Sequence, residues 1–475
     1  MKTLRYLWIA LALALIGAPA LGQGQLRLEP TAGIVGSEVV ASVTGATPGS
    51  RVDIVWMSAD ADWNVADGRF YGVVAEETRS VVASAEIGAD GTANTTFVVP
   101  ADYGYVHNVF VESEGEQVAR GGFIVVPNVE ISPTSGPVGT PITITMTGIG
   151  YRFWEIAWHL LYDGAHAGML TAVTTRGTAV ATIPATGAVG LHTLQLLSGT
   201  HPVPYLNQQQ SPNYKPAVPT VVHALFEVTE GPAMLPPPPE TQTLPRHAAA
   251  APDGAGPHLW ADLSSGPVDS PIALQGAGFP PGASVALTMD TVRGNRISGG
   301  GWEVIEVELE TVQAGADGTF ALTLPTPDDL GGEHVLRARA DGAEAEFVYT
   351  ITPSVRLVSP AVVEPGGELE VVIKGVGWSE TANIYTVLLN NGYLGYGCGF
   401  NSQGDVTILL RAPGQEGVHF LSFYPSIYQG EVTGPGAPAT PDANATYLQV
   451  PMLHEADHPG EVLPAMHLAF EVRRR

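Results

Sequence analysis

Apolar and polar residues alternate along most of this chain with a period of two, the spacing a half-buried strand requires. The pattern is sharpest over 129–151, where Ile142, Ile144 and Met146 alternate with Thr143, Thr145 and Thr147. Breaks at Pro133, Gly136 and Pro137 precede that run, and Gly148, Gly150 and Tyr151 close it. The pattern recurs three more times. It opens with Val39, Ala41 and Val43 over 37–44, with SSGPVDSPIALQGAGFPPG over 264–282, and over 358–378, where Leu369, Val371 and Ile373 make the buried face. Strands are predicted at 37–44, 51–57, 95–99, 106–112 and 122–126, then at 155–162, 178–183, 191–197 and 223–228, and at 320–324. Turn dipeptides Asp90-Gly91 and Asp317-Gly318 precede the fourth strand of their copies.

The copies come in two pairs. Asp90-Gly91 and Asp317-Gly318 lie 227 positions apart, as do Gly148-Ile149-Gly150-Tyr151 and Gly375-Val376-Gly377-Trp378, and Gly190-Leu191-His192 and Gly417-Val418-His419. A fixed offset of this kind marks a two-domain unit duplicated in tandem. The boundaries read as 23–127, 128–230, 257–353 and 354–475, with a Pro/Ala-rich linker over 231–256. Pro236 to Pro239 favour extended polyproline geometry, so the linker is predicted to hold the two pairs apart as a semi-rigid spacer. The short joints at Pro127-Asn128 and Pro353-Ser354 predict end-to-end packing within each pair.

Short strands, Gly/Pro turns and the lack of any amphipathic helical pattern predict an all-β chain of four tandem β-sandwich domains. The wording SPTSGPVGTPITITMTGIGY resembles the IPT/TIG family of immunoglobulin-like domains, most fully in the second and fourth copies. The resemblance covers nearly the whole mature chain and implies an immunoglobulin-like sandwich. It implies no shared active site, because such domains serve receptors, adhesins, transcription factors and polysaccharide-processing enzymes alike.

Composition narrows the setting. Lys2 and Arg5, the apolar run 7–16 and small residues at Ala20 and Gly22 read as a signal peptide over 1–22, cleaved before Gln23. The expectation is a secreted, periplasmic or cell-envelope protein with no membrane insertion after cleavage. The formal charge of −26, with Lys2 and Arg5 counted, repels nucleic acid and anionic lipid. The single cysteine, Cys398, cannot form an intramolecular disulfide, so packing must stabilise the fold; it reads as a small apolar strand residue.

Candidate chemistry is sparse. His454-Glu455-Ala456-Asp457-His458 matches the zinc-peptidase pattern H-E-x-x-H, but Pro451, Pro459 and Pro464 oppose the helix that would bring both histidines onto one face. A polar loop is predicted there. Asp60, Asp62 and Asn64 imitate the first ligands of a calcium loop, with Val65 and Tyr71 where Gly and Glu belong. Calcium is therefore the one cofactor considered. Trp56, Trp63, Phe70 and Tyr71, and separately Tyr393, Tyr396 and Phe400, could build a glycan-binding face or simply fill the core. Long insertions at 198–222 and 425–466 precede the last strand of the second and fourth copies and are the first places to seek a partner.

No catalytic or metal residue is assigned, and binding residues stay unassigned. The reading is a non-enzymatic exported scaffold, adhesin or binding module for a protein or glycan at the cell surface. The alternatives are a carbohydrate-binding accessory protein and, more remotely, a zinc peptidase through His454 and His458.

Overall fold

The structure is a computed structural model that describes residues 24–66, 68–199, 204–210, 218–242, 244, 256–295, 301–427, 449–460 and 462–474. The signal segment 1–22 lies outside them. Helical structure among the described residues is confined to three-residue 3₁₀ turns.

In the first domain the strands are β1 (Gln25–Glu29), β2 (Ala32–Gly33), β3 (Glu38–Thr44), β4 (Arg51–Ala66), β5 (Arg69–Glu86), β6 (Thr92–Val98), β7 (Tyr105–Ser113) and β8 (Glu116–Val125). They form a three-stranded sheet, β1-β3-β6, facing a five-stranded one, β2-β8-β7-β4-β5. All pairings are antiparallel except β2 with β8. This is the strand order of an immunoglobulin-like sandwich. The same three-plus-five layout is built three more times along the chain. The protein is all-β, with four immunoglobulin-like sandwiches.

The alternation seen in the sequence sets each core. Val39, Ala41 and Val43 of β3 are buried, and so are Ile142, Ile144 and Met146 of the strand Pro141–Thr147. Each such side chain contributes about 1.5–3 kcal/mol of apolar burial. The turn aspartates work alike in both halves. Asp90 Oδ1 accepts Thr92 N–H and Oγ1–H, and Asp317 Oδ1 accepts the same groups of Thr319. These bonds hold both carboxyls below the usual range.

A histidine at the start of the penultimate strand repeats in all four domains. Nε2 of His107, His192, His334 and His419 bonds the carbonyl four residues earlier, at Tyr103, Ala188, Leu330 and Gln415, over 2.7–2.8 Å. Each bond ties the strand to the corner that leads into it.

Within each pair the domains meet at one repeated contact. Gly104 N–H donates to Ile149 O at 3.0 Å, and Gly331 N–H to Val376 O at 3.1 Å. A Cβ on Gly104 would lie 1.7 Å from Gly148 O, so this joint demands glycine.

The linker does not hold the halves apart. Leu388, Tyr424 and Leu453 of the fourth domain belong to the hydrophobic core of the second. Tyr424 Oη–H donates to Thr182 O at 3.2 Å, Asn391 Nδ2 to Pro184 O at 2.8 Å, and Thr186 Oγ1 to Asn390 O at 3.3 Å. The linker lies along this assembly. Met234 N–H reaches Val138 O at 2.8 Å, and the Gln242 amide brackets the backbone of His467 at 2.6 and 2.7 Å. Apolar burial between the halves outweighs the stiffness of Pro236 to Pro239.

Two strands are missing from the sequence-based prediction. β5 is mostly solvent-facing and so lacks clean alternation, and Ala165–Leu170 is short and interrupted by Gly168.

Candidate functional site

The densest polar geometry in the molecule lies where the first, second and fourth domains converge. β4 and β5 form a long hairpin whose far end leaves the first sandwich. On β4, Ala59, Ala61 and Trp63 turn inward while Asp60 and Asp62 face solvent. Trp63 and Phe70 enter a shared core with Ile156, Met169 and Val173 of the second domain and Ile427, Val450 and Met452 of the fourth. The third domain's hairpin has less reach: the paired residues Met57 and Arg79 are 22 positions apart, but Asp290 and Glu306 only 16.

Onto this junction folds the segment 449–458. Met169 N–H donates to Pro451 O at 2.8 Å and Leu453 N–H to Met169 O at 2.9 Å. The segment thereby adds a short parallel bridge to the outer strand of the second domain, Ala165–Leu170. His454 Nδ1 then bonds Thr171 O at 2.8 Å. A single 3₁₀ turn, Glu455–Asp457, ends at His458, whose φ of −67° and ψ of 129° are extended.

Asp457 is fully buried, and its carboxylate accepts Val173 N–H at 2.9 Å, Thr174 N–H at 2.7 Å and Thr174 Oγ1–H at 2.7 Å. Its backbone carbonyl accepts Trp63 Nε1–H at 2.6 Å. Glu455 Oε2 accepts Ala465 N–H at 3.0 Å. The hairpin tip joins the fourth domain directly, because Glu380 Oε2 accepts Phe70 N–H at 2.9 Å and Glu380 N–H reaches Gly68 O at 2.7 Å.

A second buried carboxylate organises the first domain's side. Asp102 accepts Trp56 Nε1–H at 2.8 Å, Ser58 Oγ–H at 2.6 Å and Tyr103 N–H at 2.8 Å. Tyr103 Oη–H donates to Val173 O at 2.5 Å, and burial pushes that phenol up to about 12. All these charge-assisted bonds serve to hold backbone in place.

The candidates read from the sequence fall out as follows. The zinc-peptidase pattern is not on a helix: His454, Glu455 and Asp457 are each spent on joining domains. Asp60, Asp62 and Asn64 stand on strand β4 rather than in a calcium loop, and Asp60 lies 3.6 Å from the Arg176 guanidinium. Trp56, Trp63, Phe70 and Phe400 are buried, which removes most of the proposed glycan-facing aromatics, while Tyr71 and Tyr396 are exposed and Tyr393 is half-buried. Cys398 lies on a strand but is exposed rather than packed. Of the long insertions, 200–203, 211–217 and 428–448 lie outside the described residues, and the described end of the second builds the junction.

The sequence reading overlooked Asp457 as a tie and Phe153-Trp154, stacked edge-on at 4.7 Å with Trp154 half-exposed. Among the described residues no group of three or more His, Cys, Asp or Glu is arranged to hold a metal ion. No helix among them is long and apolar enough to cross a membrane.

No protein-family model matches the chain, and no curated protein matches it. Solved structures overlap it only distantly. The native conformation of E. coli alpha-2-macroglobulin is 12% identical, matching 93% of this chain and 30% of that one at a TM-score of 0.18. The ICAM-5 D1–D4 ectodomain is 13% identical over 95% of this chain and 100% of that one, at 0.18. Invasin, a bacterial integrin-binding protein, is 11% identical over 85% and 76%, also at 0.18. The immunoglobulin-like assignment therefore stands on the strand order described above.

Proposed function

We propose that this protein is an exported, non-enzymatic binding scaffold. Its four sandwiches, of the IPT/TIG kind by their Gly-x-Gly-aromatic step, are locked together to present fixed surfaces to a protein partner at the cell envelope. The observation that carries the reading is the fate of His454–His458: the one literal catalytic motif of the chain is consumed in joining three domains. Export is supported by the basic, apolar and small-residue order over 1–22. The acidic surface, at a formal −26, favours a partner other than nucleic acid.

A glycan-binding role is the weaker reading, because the aromatic cluster that favoured it is largely interior. Fractionation of cells carrying a C-terminally tagged chain tests the main one. The expected product lies outside the cytoplasm and begins at Gln23. An intact chain confined to the cytoplasm would overturn the proposal.

A further inference from the structure

Each five-stranded sheet ends on an outer strand, and the four outer edges differ in how they are protected. In the first domain the edge strand β5 carries Glu76, Glu77, Arg79 and Glu86, and in the third Gly301–Gln313 carries Glu303, Glu306, Glu308 and Glu310. Charges along an edge discourage another strand from pairing with it. The second domain's edge, Ala165–Leu170, has no Asp, Glu, Lys or Arg and is covered by Pro451–Leu453. In the fourth domain the edge Gly392–Cys398 reads GYLGYGC. It has no charge, and among the described residues no strand pairs with its outer side.

The second and fourth edges are copies of one structure, 227 positions apart. Both carry a bulge at the same place, opposite Leu160/Leu161 and Val387/Leu388. Both place a glycine there at an unusual φ, 150° at Gly168 and 159° at Gly395. A Cβ on Gly168 would meet Pro451 O at 2.7 Å and the Leu453 side chain at 2.8 Å, whereas one on Gly395 would meet nothing within 4 Å. Ala167 and Met169 are 0% and 1% exposed, and their counterparts Leu394 and Tyr396 are 50% and 47% exposed. Thr171 is buried, and its counterpart Cys398 is open. The acceptor is built twice and filled once.

We propose that the outer edge of Gly392–Cys398 is a docking site for an extended, uncharged, apolar segment of a partner protein, added as a further strand. The filled copy shows the occupant's chemistry. Val450, Pro451, Met452 and Leu453 carry no charge, and the backbone of Pro451 and Leu453 exchanges two hydrogen bonds with Met169. The glycine lets the incoming backbone approach closely. In the fourth domain Leu394 and Tyr396 supply the apolar strip that such a segment would cover. The proposal rests on the reading of the chain as a binding scaffold and names where it binds and what.

The test uses the full mature chain and a synthetic, end-blocked peptide of sequence QVPMLH, copied from residues 449–454. The readout is the alkylation rate of Cys398, the sole cysteine, which lies on the strand in question. At a peptide concentration ten times Kd, alkylation is expected to slow by about tenfold. Leu394→Lys and Tyr396→Asp alter exposed positions, so each is expected to leave the unfolding transition unchanged and to abolish the protection. Peptide that binds without protecting Cys398 would overturn the proposal, as would no protection at millimolar peptide. Cys398 protection that instead grows with protein concentration in the absence of peptide would make a second copy the occupant and would equally overturn it. An exported protein with unprotected Cys398 loses this site but keeps the scaffold reading; a cytoplasmic one loses the scaffold reading whatever the peptide does.

Discussion

Trp63 Nε1–H donates to the backbone carbonyl of Asp457 at 2.6 Å, joining residues 394 positions apart in the chain. The bond connects the tip of the first domain's hairpin to the last loop of the fourth. Its surroundings make Asp457 the most heavily committed carboxylate of the junction. Replacing it with Ala leaves the donors of Val173 and Thr174 buried without their acceptor. The expected loss is about 3–5 kcal/mol. Trp63→Phe keeps the ring in its apolar core and removes only the indole donor, with an expected loss of about 1–2 kcal/mol. Denaturant unfolding of the full chain measures both; equal, negligible shifts would show that the junction carries no weight.

Metal removal separates the zinc-peptidase pattern from its structural use. Because His454 faces Thr171 O and His458 follows in extended backbone, chelation is expected to leave the unfolding midpoint unchanged. Metal analysis of the purified protein is expected to find no stoichiometric zinc. A midpoint lowered by EDTA and restored by zinc would contradict the geometry.

The stability of the fourth domain should depend on pH through His467. Burial pushes this imidazole down to about 4, against an ordinary value of about 6.5 in the unfolded chain. Between those values the unfolded chain binds more protons than the folded one. The contribution is therefore complete above pH 6.5 and is lost as pH falls toward 4, a span of about 3 kcal/mol. His467→Gln removes the titration, so the difference in stability between wild type and variant should change over this window and level off on either side. A difference independent of pH would show that His467 titrates normally.

The fold was legible wherever one face of a strand is buried and the other wet. Ile142, Ile144 and Met146 announced their strand because water and core alternate along it. β5 escaped notice because an edge strand exposed over most of its length has no such contrast. At the junction, local spacing misled. Asp60, Asp62 and Asn64 suggested a calcium loop, yet a separation of two is also the period of a strand, and the intervening Ala59, Ala61 and Trp63 were the apolar face. The tie at Asp457 could not be read, since its partners at Trp63, Val173 and Thr174 lie 283 or more positions away. The linker's prolines reported local stiffness correctly but said nothing of the apolar surfaces that draw the two halves together.

That association is the central claim, and cutting the covalent link tests it directly. A specific protease site replacing residues within 245–255 would allow the chain to be severed between the halves, and size-exclusion chromatography with light scattering would then report the mass under native conditions. The two pieces are expected to elute together at the mass of the uncut chain, and to separate when the cut chain also carries Asp457→Ala and Trp63→Phe. Separation of the wild-type halves immediately after cleavage would contradict the account.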